Sequence, residues 1–207
     1  IAHRYDLLNN LLSFGVHWIW KRRLVKEILK LKPTSVIDIA TGTGDIAGMI
    51  ASHNIDVTGV DISDNMLNIA AKKFPKISFY NDDITNSKIA DKKYDLSCIS
   101  YGIRNVSNLA LALSEMKRIS NTTVILEFGR PSNITLRKIY FSIMHKMVPF
   151  IGGLFSTKES YNYLIESSEV FPSGEVFLDL ARSVVDPKEC TKIEMFGGVT
   201  YIYIIKF

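Results

Sequence analysis

The segment Val36–Asp45 constrains the fold of this chain more than any other stretch. An apolar run leads into a turn rich in glycine, and aliphatic residues at helical spacing follow the turn. This order predicts a strand, a tight turn and a helix. Because Gly42 and Gly44 have no Cβ, the backbone of the turn can approach a ligand closely. The segment therefore predicts a ligand-binding turn.

A carboxylate marks the end of the next predicted strand. Asp61 follows the run Val57–Val60, nineteen residues after Gly42. In nucleoside-binding α/β folds, a carboxylate at the tip of the second strand holds a ribose diol. Asp61 and the adjacent Ile62 are therefore candidates for binding a nucleoside cofactor.

The charge around the turn distinguishes between cofactors. The pattern Gly42-x-Gly44-x-x-Ala47 also matches the loose dinucleotide fingerprint. However, a pyrophosphate is anionic, and Asp38 and Asp45 would repel it. S-adenosylmethionine carries a sulfonium and an ammonium group, which carboxylates attract. The sequence favours S-adenosylmethionine and keeps an NAD-dependent oxidoreductase as an alternative, and a structural role for Asp45 as a helix cap is compatible with both.

A third acidic cluster follows the predicted strand Ile77–Tyr80. Asp82 and Asp83 would lie at the carboxyl end of that strand, where ligands bind in a doubly wound sheet, and would converge with Asp61. A carboxylate there can accept a hydrogen bond from the adenine amino group. The alternative is a solvated turn rich in Asn and Asp. Three successive strand ends of this kind favour a cofactor site.

The order of the elements predicts an α/β fold, with a mostly parallel seven-stranded sheet and helices on both faces. Five parallel strands closed by an antiparallel hairpin around Gly197 and Gly198 are the usual plan of Class I methyltransferases. We expect a single domain over 1–207, with an N-terminal helical segment 1–32 and a helical insertion at about 132–170. The predicted strands are 35–40, 56–60, 77–80, 94–100, 122–128 and the hairpin within 192–207, and the predicted helices are 5–31, 45–52, 64–73 and 107–119.

Composition limits the remaining options. The chain has 207 residues, of which 47% are hydrophobic, which suits one well-buried domain. Its two cysteines, Cys98 and Cys190, have neither metal-ligand spacing nor a disulfide framework, so we expect no metal and a reducing compartment, the cytoplasm. Because the first residue is Ile1, we expect the natural start to lie upstream.

Two segments suggest partners. Residues 139–155 are strongly apolar but too short to span a bilayer. They suit either a helix packed on the core or a cover over an apolar substrate that touches a membrane surface, which the net charge of +4 would favour. The segment His17–Arg23 mixes aromatic and basic residues as some RNA-binding patches do, but core contacts by its tryptophans are the preferred interpretation, so no nucleic acid is expected. A homodimer is left open.

Several motifs resemble those of the ubiquinone/menaquinone biosynthesis C-methyltransferases. The resemblance covers nearly the whole chain and implies methylation of a ring carbon on a reduced polyprenyl quinol, either a benzoquinol or a naphthoquinol. By the resemblance, Thr43, Asp61, Asp83 and Ser100 match cofactor-binding positions, with Asp82 and Ile84 beside them. The motifs are Tyr5–Asn9, Ser13–His17, Trp20–Arg22, Ser100–Val106, Leu126–Pro131, Pro149–Gly152 and Tyr161–Ser168.

Methylation of such a ring requires a group that removes the proton of a ring hydroxyl or that stabilises the resulting phenolate, because the phenolate makes the ortho carbon nucleophilic. Arg104 and Asn105 follow the fourth strand at the ligand end of the sheet, and Arg104 would stabilise a developing oxyanion or orient a water. Tyr161 is a third candidate, beside the acceptor ring. The structural alternatives are an ion pair of Arg104 with Glu127 or Asp45, and a half-buried helix aromatic for Tyr161. A subunit of this fold without catalytic activity is a further alternative.

Overall fold

The computed structural model describes residues 16–142 and 167–207, and its central feature is a seven-stranded sheet. The strand order is β3-β2-β1-β4-β5-β7-β6. Strands β1 to β5 are parallel, and β7 pairs antiparallel with both β5 and β6. The strands are β1 (Ser35–Ile39), β2 (Asp56–Asp61), β3 (Ser78–Asn81), β4 (Tyr94–Ser100), β5 (Ser120–Phe128), β6 (Glu189–Met195) and β7 (Thr200–Lys206). This confirms the predicted fold class.

Side chains alternate between the two faces of the sheet along each strand, and this alternation divides the core into two layers. Ile37 and Ile39 of β1 belong to one apolar cluster and Val36 to the other, because successive side chains of a strand point to opposite faces. The first layer is covered by α4 and α5, and the second by α1 and α2. The helices are α1 (Val16–Lys30), α2 (Asp45–Ala51), α3 (Asp64–Lys73), α4 (Leu109–Ile119) and α5 (Glu175–Val185).

The sequence predicted most element boundaries from β1 to β5 within two residues, but it missed α5. That helix begins after Gly174 and buries Phe177, Leu178 and Ala181 against β7 and α4. The first strand of the hairpin begins at Glu189 rather than at Lys192. Of the expected insertion, residues 134–142 and 167–170 are helical. The predicted helix 5–31 is described only from residue 16, and the rest of both segments lies outside the described residues.

The topology brings three strand ends together. The neighbours of β1 are β2 and β4, so the sheet reverses its direction of growth at this strand. In an open α/β sheet, ligands bind at such a switch point, outside the carboxyl ends of the strands. Within residues 16–142 and 167–207, no helix has the length and apolar character needed to cross a bilayer.

Candidate active site

A cavity of about 690 Å³ lies at the carboxyl ends of β1, β2 and β4, next to α1. Two groups of side chains line it. The polar group comes from the strand ends, and we call the other group the aromatic cluster. The polar group contains Asp38, Gly42, Thr43, Asp61, Asp82, Asp83 and Ser100, and the aromatic cluster contains Trp20, Tyr101, Phe128, Tyr140 and Phe196.

The glycine turn is held from within by Asp38. Its carboxylate accepts hydrogen bonds from the Thr41 hydroxyl at 2.6 Å and from the backbone N–H of Ala47 at 3.1 Å. The same carboxylate is almost fully buried, and burial raises its pKa to about 6 despite these hydrogen bonds. Gly42 has a φ of +56° and a Cβ built there would meet no atom within 4 Å, so the turn leaves open space for a ligand beside its backbone.

Gly44 belongs to the same turn but does not line the cavity. Its φ of +81° would strain any other residue, and a Cβ there would lie 3.1 Å from Ala70, Phe74 and Phe79. Gly44 therefore shapes the turn and lets α2 pack closely against its neighbours, while Gly42 and Thr43 face the cavity.

Asp45 forms ion pairs with two lysines, which offset its negative charge beside the glycine turn. Lys21 of α1 lies 2.8 Å from its carboxylate, and Lys73 of α3 contacts the other oxygen. Burial alone would raise the pKa of Asp45, but the two lysines outweigh it and hold the pKa below its usual value. Asp45 makes no side-chain cap to α2, because Gly44 is the residue at the cap position. The preference for a cationic ligand at the turn therefore depends on Asp38 and Asp61.

Asp61 is oriented by the backbone on both sides. One oxygen accepts a hydrogen bond from Gly42 N–H at 2.9 Å, and the other accepts one from Ser63 N–H at 2.9 Å. A carboxylate offers about four acceptor positions, so these two bonds fix the side chain and leave capacity for a diol. The neighbouring Ile62 lines the cavity with 73% of its surface exposed.

The loop after β3 completes the polar side of the cavity. Asp82 accepts a hydrogen bond from the Ser87 hydroxyl at 2.5 Å, and Asp83 accepts two from Thr85, at the backbone N–H and at the hydroxyl. These bonds from Thr85 lower the pKa of Asp83. Ile84, which is buried, lines the same region. The acidic side chains thus line the same cavity as the glycine turn, as their positions after the strands predicted.

Ser100 lines the cavity, and its hydroxyl is unsatisfied within residues 16–142 and 167–207. Its Oγ is buried and has no hydrogen-bond partner within the part of the chain that the structure describes. A buried hydroxyl without a partner costs about 1–3 kcal/mol. A polar ligand in the cavity would remove that cost.

Arg104 and Asn105 both line the cavity, from a short 3₁₀ helix after β4. The guanidinium of Arg104 lies 2.7 Å from the carboxylate of Glu127 and also donates to the Tyr101 carbonyl at 2.8 Å. Of the two ion pairs considered from the sequence, the one with Glu127 is present, and Asp45 pairs with lysines instead. Tyr161 lies outside the described residues.

The sequence did not single out the aromatic cluster as part of a site. Tyr101 and Phe128 stack with their ring centroids 4.4 Å apart, and Trp20 packs on Phe128 and Phe196 at 6.1 and 5.8 Å. These residues come from α1, the loop after β4, β5 and the hairpin, so no local spacing connects them. Burial raises the pKa of Tyr140 to about 12 and that of Tyr101 well above its usual value, so neither phenol is a base at neutral pH.

The strand order, the glycine turn and the carboxylate at the end of β2 together define a Class I S-adenosylmethionine-dependent methyltransferase. Solved structures share the fold. A plantazolicin methyltransferase, crystallised with a monoazolic desmethyl analogue and SAH, matches with a TM-score of 0.69 and 17% identity, covering 99% of this chain and 89% of its own. A SAM-dependent methyltransferase from Aquifex aeolicus matches with a TM-score of 0.60 and 14% identity, and the match covers 88% of this chain and 89% of the Aquifex chain.

The chain belongs to the ubiE/COQ5 methyltransferase family, which it matches over residues 1–199. Similar proteins include a ubiquinone/menaquinone biosynthesis C-methyltransferase from Geotalea uraniireducens, 37% identical over 99% of this chain and 92% of that protein. A demethylmenaquinone methyltransferase from Thermotoga maritima is 38% identical over 99% of this chain and 91% of that protein. Membership confirms the predicted family, the methyltransferase activity and S-adenosylmethionine as the cofactor, and nothing favours the NAD-dependent alternative.

Proposed function

We propose that this enzyme transfers a methyl group from S-adenosylmethionine to a ring carbon of a reduced polyprenyl quinol, either a demethylmenaquinol or a methoxy-benzoquinol. One observation carries the proposal. A single cavity is lined both by polar groups suited to the cofactor and by an aromatic cluster suited to an apolar ring. The names of the relatives from Geotalea uraniireducens and Thermotoga maritima support this substrate class.

The polar group fits the cofactor. Asp61 has acceptor capacity for the ribose diol, Gly42 and Thr43 leave room beside the turn, and the Ser100 hydroxyl lacks a partner in the described chain. Asp83, with Asp82, Ile62 and Ile84 around it, would hold the adenine, and Asp38 would attract the positive charge of the methionine part. When bound, S-adenosylmethionine supplies an electrophilic methyl group.

The aromatic cluster suits the acceptor ring, because flat rings stack on flat rings and the cavity wall here is largely apolar. The ring carbon becomes nucleophilic when the neighbouring hydroxyl loses its proton. Arg104 would stabilise the resulting oxyanion, since its guanidinium stays protonated and lies beside the cluster, 5.3 Å from the centre of the Phe128 ring. Asn105 would hold the hydroxyl or a water next to it, and Tyr161 remains a candidate contact with the ring.

The insertion at about 132–170 would cover the acceptor. Tyr140 lines the cavity from the helical stretch 134–142, and Ile134 and Ile139 on the same stretch are exposed. We further propose a cytoplasmic enzyme that touches the membrane surface, because the prenyl tail of the acceptor is soluble in lipid.

Methyl transfer tests the proposal directly. The purified enzyme is given labelled S-adenosylmethionine with chemically reduced demethylmenaquinol or with a reduced methoxy-benzoquinol, and the label is counted in the organic extract. Label in one extract supports the proposal and selects the acceptor, and label in both indicates an enzyme that serves two pathways. Measurable cofactor binding with no label in either extract would contradict the proposal.

A further inference from the structure

The indole of Trp20 is a buried hydrogen-bond donor without an acceptor in the part of the chain that the structure describes. The side chain is 7% exposed, and its Nε1 has no hydrogen-bond partner among the residues that the structure describes. An indole offers one donor and no acceptor, and a buried Trp usually finds a partner for it. A buried N–H without an acceptor lowers the stability of the fold. The presence of such an N–H on the Trp20 side chain of α1 therefore requires an explanation.

Packing holds the Trp20 ring at the cavity. The rings of Phe128 and Phe196 are inclined to the Trp20 ring by 89° and 75°, with centroid distances of 6.1 and 5.8 Å, and the Tyr101 ring is tilted against it at 6.3 Å. All four side chains line the cavity. With aromatic neighbours packed against it, the indole cannot swing out to hydrogen-bond with bulk water.

The same helix is tied to the cofactor turn. Lys21, the next residue, forms its ion pair with Asp45 at the start of α2. Trp20 is therefore held in register with the glycine turn, although the turn follows it by more than twenty residues. A donor placed in this way has a constant position relative to a bound cofactor.

We propose that the Trp20 indole N–H donates a hydrogen bond to a ring oxygen of the methyl acceptor, which rests on the proposed function. The aromatic walls accept the flat ring, and a hydroxyl or phenolate oxygen supplies the missing acceptor. A phenolate accepts more strongly than a neutral hydroxyl, so the bond strengthens as the ring becomes nucleophilic. Trp20 thereby selects acceptors that carry oxygen on the ring. Trp20 and Arg104 together stabilise the negative charge on that oxygen.

Trp18 provides a matched control. It lies on α1 two residues earlier, packs against His17 and under the ammonium group of Lys21, and does not line the cavity. The chain contains only these two tryptophans. In Trp18→Phe, the single remaining indole N–H signal in an NMR spectrum is therefore that of Trp20.

The first experiment follows this signal without requiring turnover. SAH is added to Trp18→Phe, and then a naphthol or, in a parallel sample, naphthalene. We expect the Trp20 signal to move downfield with the naphthol and to stay within the range of ring-current changes with naphthalene. A downfield shift that is complete with SAH alone would assign the donor to the cofactor and overturn the proposal. An unmoved signal in the presence of saturating naphthol would also overturn it.

The second experiment compares Trp20→Phe with Trp18→Phe in methyl transfer to a prenylated naphthalenediol. We expect kcat/KM of Trp20→Phe to fall about 10- to 100-fold, the size expected for a hydrogen bond to a charged oxygen, with unchanged affinity for SAH. Equal values in the two variants would overturn the proposal. Absence of transfer by the unmodified enzyme would instead contradict the proposed function, while the NMR titration would still report on Trp20.

Discussion

The guanidinium of Arg104 and the carboxylate of Glu127 form an ion pair that is closed off from solvent, with the two side chains 4% and 0% exposed. Glu127 also accepts hydrogen bonds from the backbone N–H groups of Arg104 and Phe128. A buried pair of this kind is costly to break, because removing one partner leaves the other charge buried and alone. Arg104 is thus both a structural residue and the proposed stabiliser of the acceptor oxyanion.

Replacing Arg104 by alanine should lower turnover at least about tenfold while cofactor affinity stays unchanged, because the positive charge beside the acceptor is lost. The same change should lower the free energy of unfolding by about 3–5 kcal/mol. Steady-state kinetics, SAH titration and urea denaturation measure the three quantities.

A double variant separates the two roles of Arg104. Arg104→Met with Glu127→Gln removes both charges and keeps an amide oxygen that accepts from the backbone N–H groups of Arg104 and Phe128, so stability should recover most of the loss while turnover stays low. Turnover restored together with stability would show that Arg104 acts only through the fold.

Replacing Asp61 by asparagine should weaken cofactor binding about 10-fold or more, because an amide cannot accept from two backbone N–H groups and a diol at once. Isothermal titration with SAH gives the dissociation constant. The matched control is Asp56→Asn, an exposed residue at the opposite end of the same strand. Equal affinities for both variants would contradict the ribose assignment.

Lys21→Met should destabilise the protein more than Lys73→Met, although both lysines contact Asp45. The Lys21 side chain is 17% exposed and that of Lys73 44%, so solvent screens the second pair more. We expect losses of about 1–3 kcal/mol for Lys21 and at most about 1 kcal/mol for Lys73. Urea denaturation at matched ionic strength measures both, and the reverse order would refute the prediction.

Asp38 should make stability depend on pH between about 4 and 6. Its folded-state pKa is about 6 because of burial, against an ordinary value of 3.8. In that window the folded state binds more protons than the unfolded state, so the contribution of Asp38 to stability falls as the pH rises and is constant above the window. The lost contribution is on the order of 3 kcal/mol.

Asp38→Asn should remove this dependence, since the amide oxygen still accepts from Thr41 and Ala47 but does not ionise. The stability of the variant relative to the unmodified protein should therefore increase from pH 4 to pH 6 and then level off. Denaturation curves across this range test the sign, and a difference that is independent of pH would show that Asp38 has an ordinary pKa.

The sequence predicted the fold, and the convergence of the polar strand ends at one edge of the sheet, because both depend on short-range patterns. A glycine turn between a strand and a helix, and carboxylates directly after strands, are local features whose relative positions follow from the parallel topology. The helix Glu175–Val185 was missed because no element was predicted between the insertion, which ends at about 170, and the hairpin, although the buried residues of this helix recur at helical spacing.

The sequence alone determined the family, the succession of strands and helices from β1 to β5, and the position of Gly42, Asp61 and Asp83 at one edge of the sheet. Only the tertiary structure decided which charges are neutralised and which donors are left over. Lys21 pairs with Asp45, Arg104 with Glu127, and Trp20 keeps its N–H without a partner in the described chain. These outcomes depend on packing between elements more than twenty residues apart, and local periodicity carries no information about which side chains such packing brings into contact.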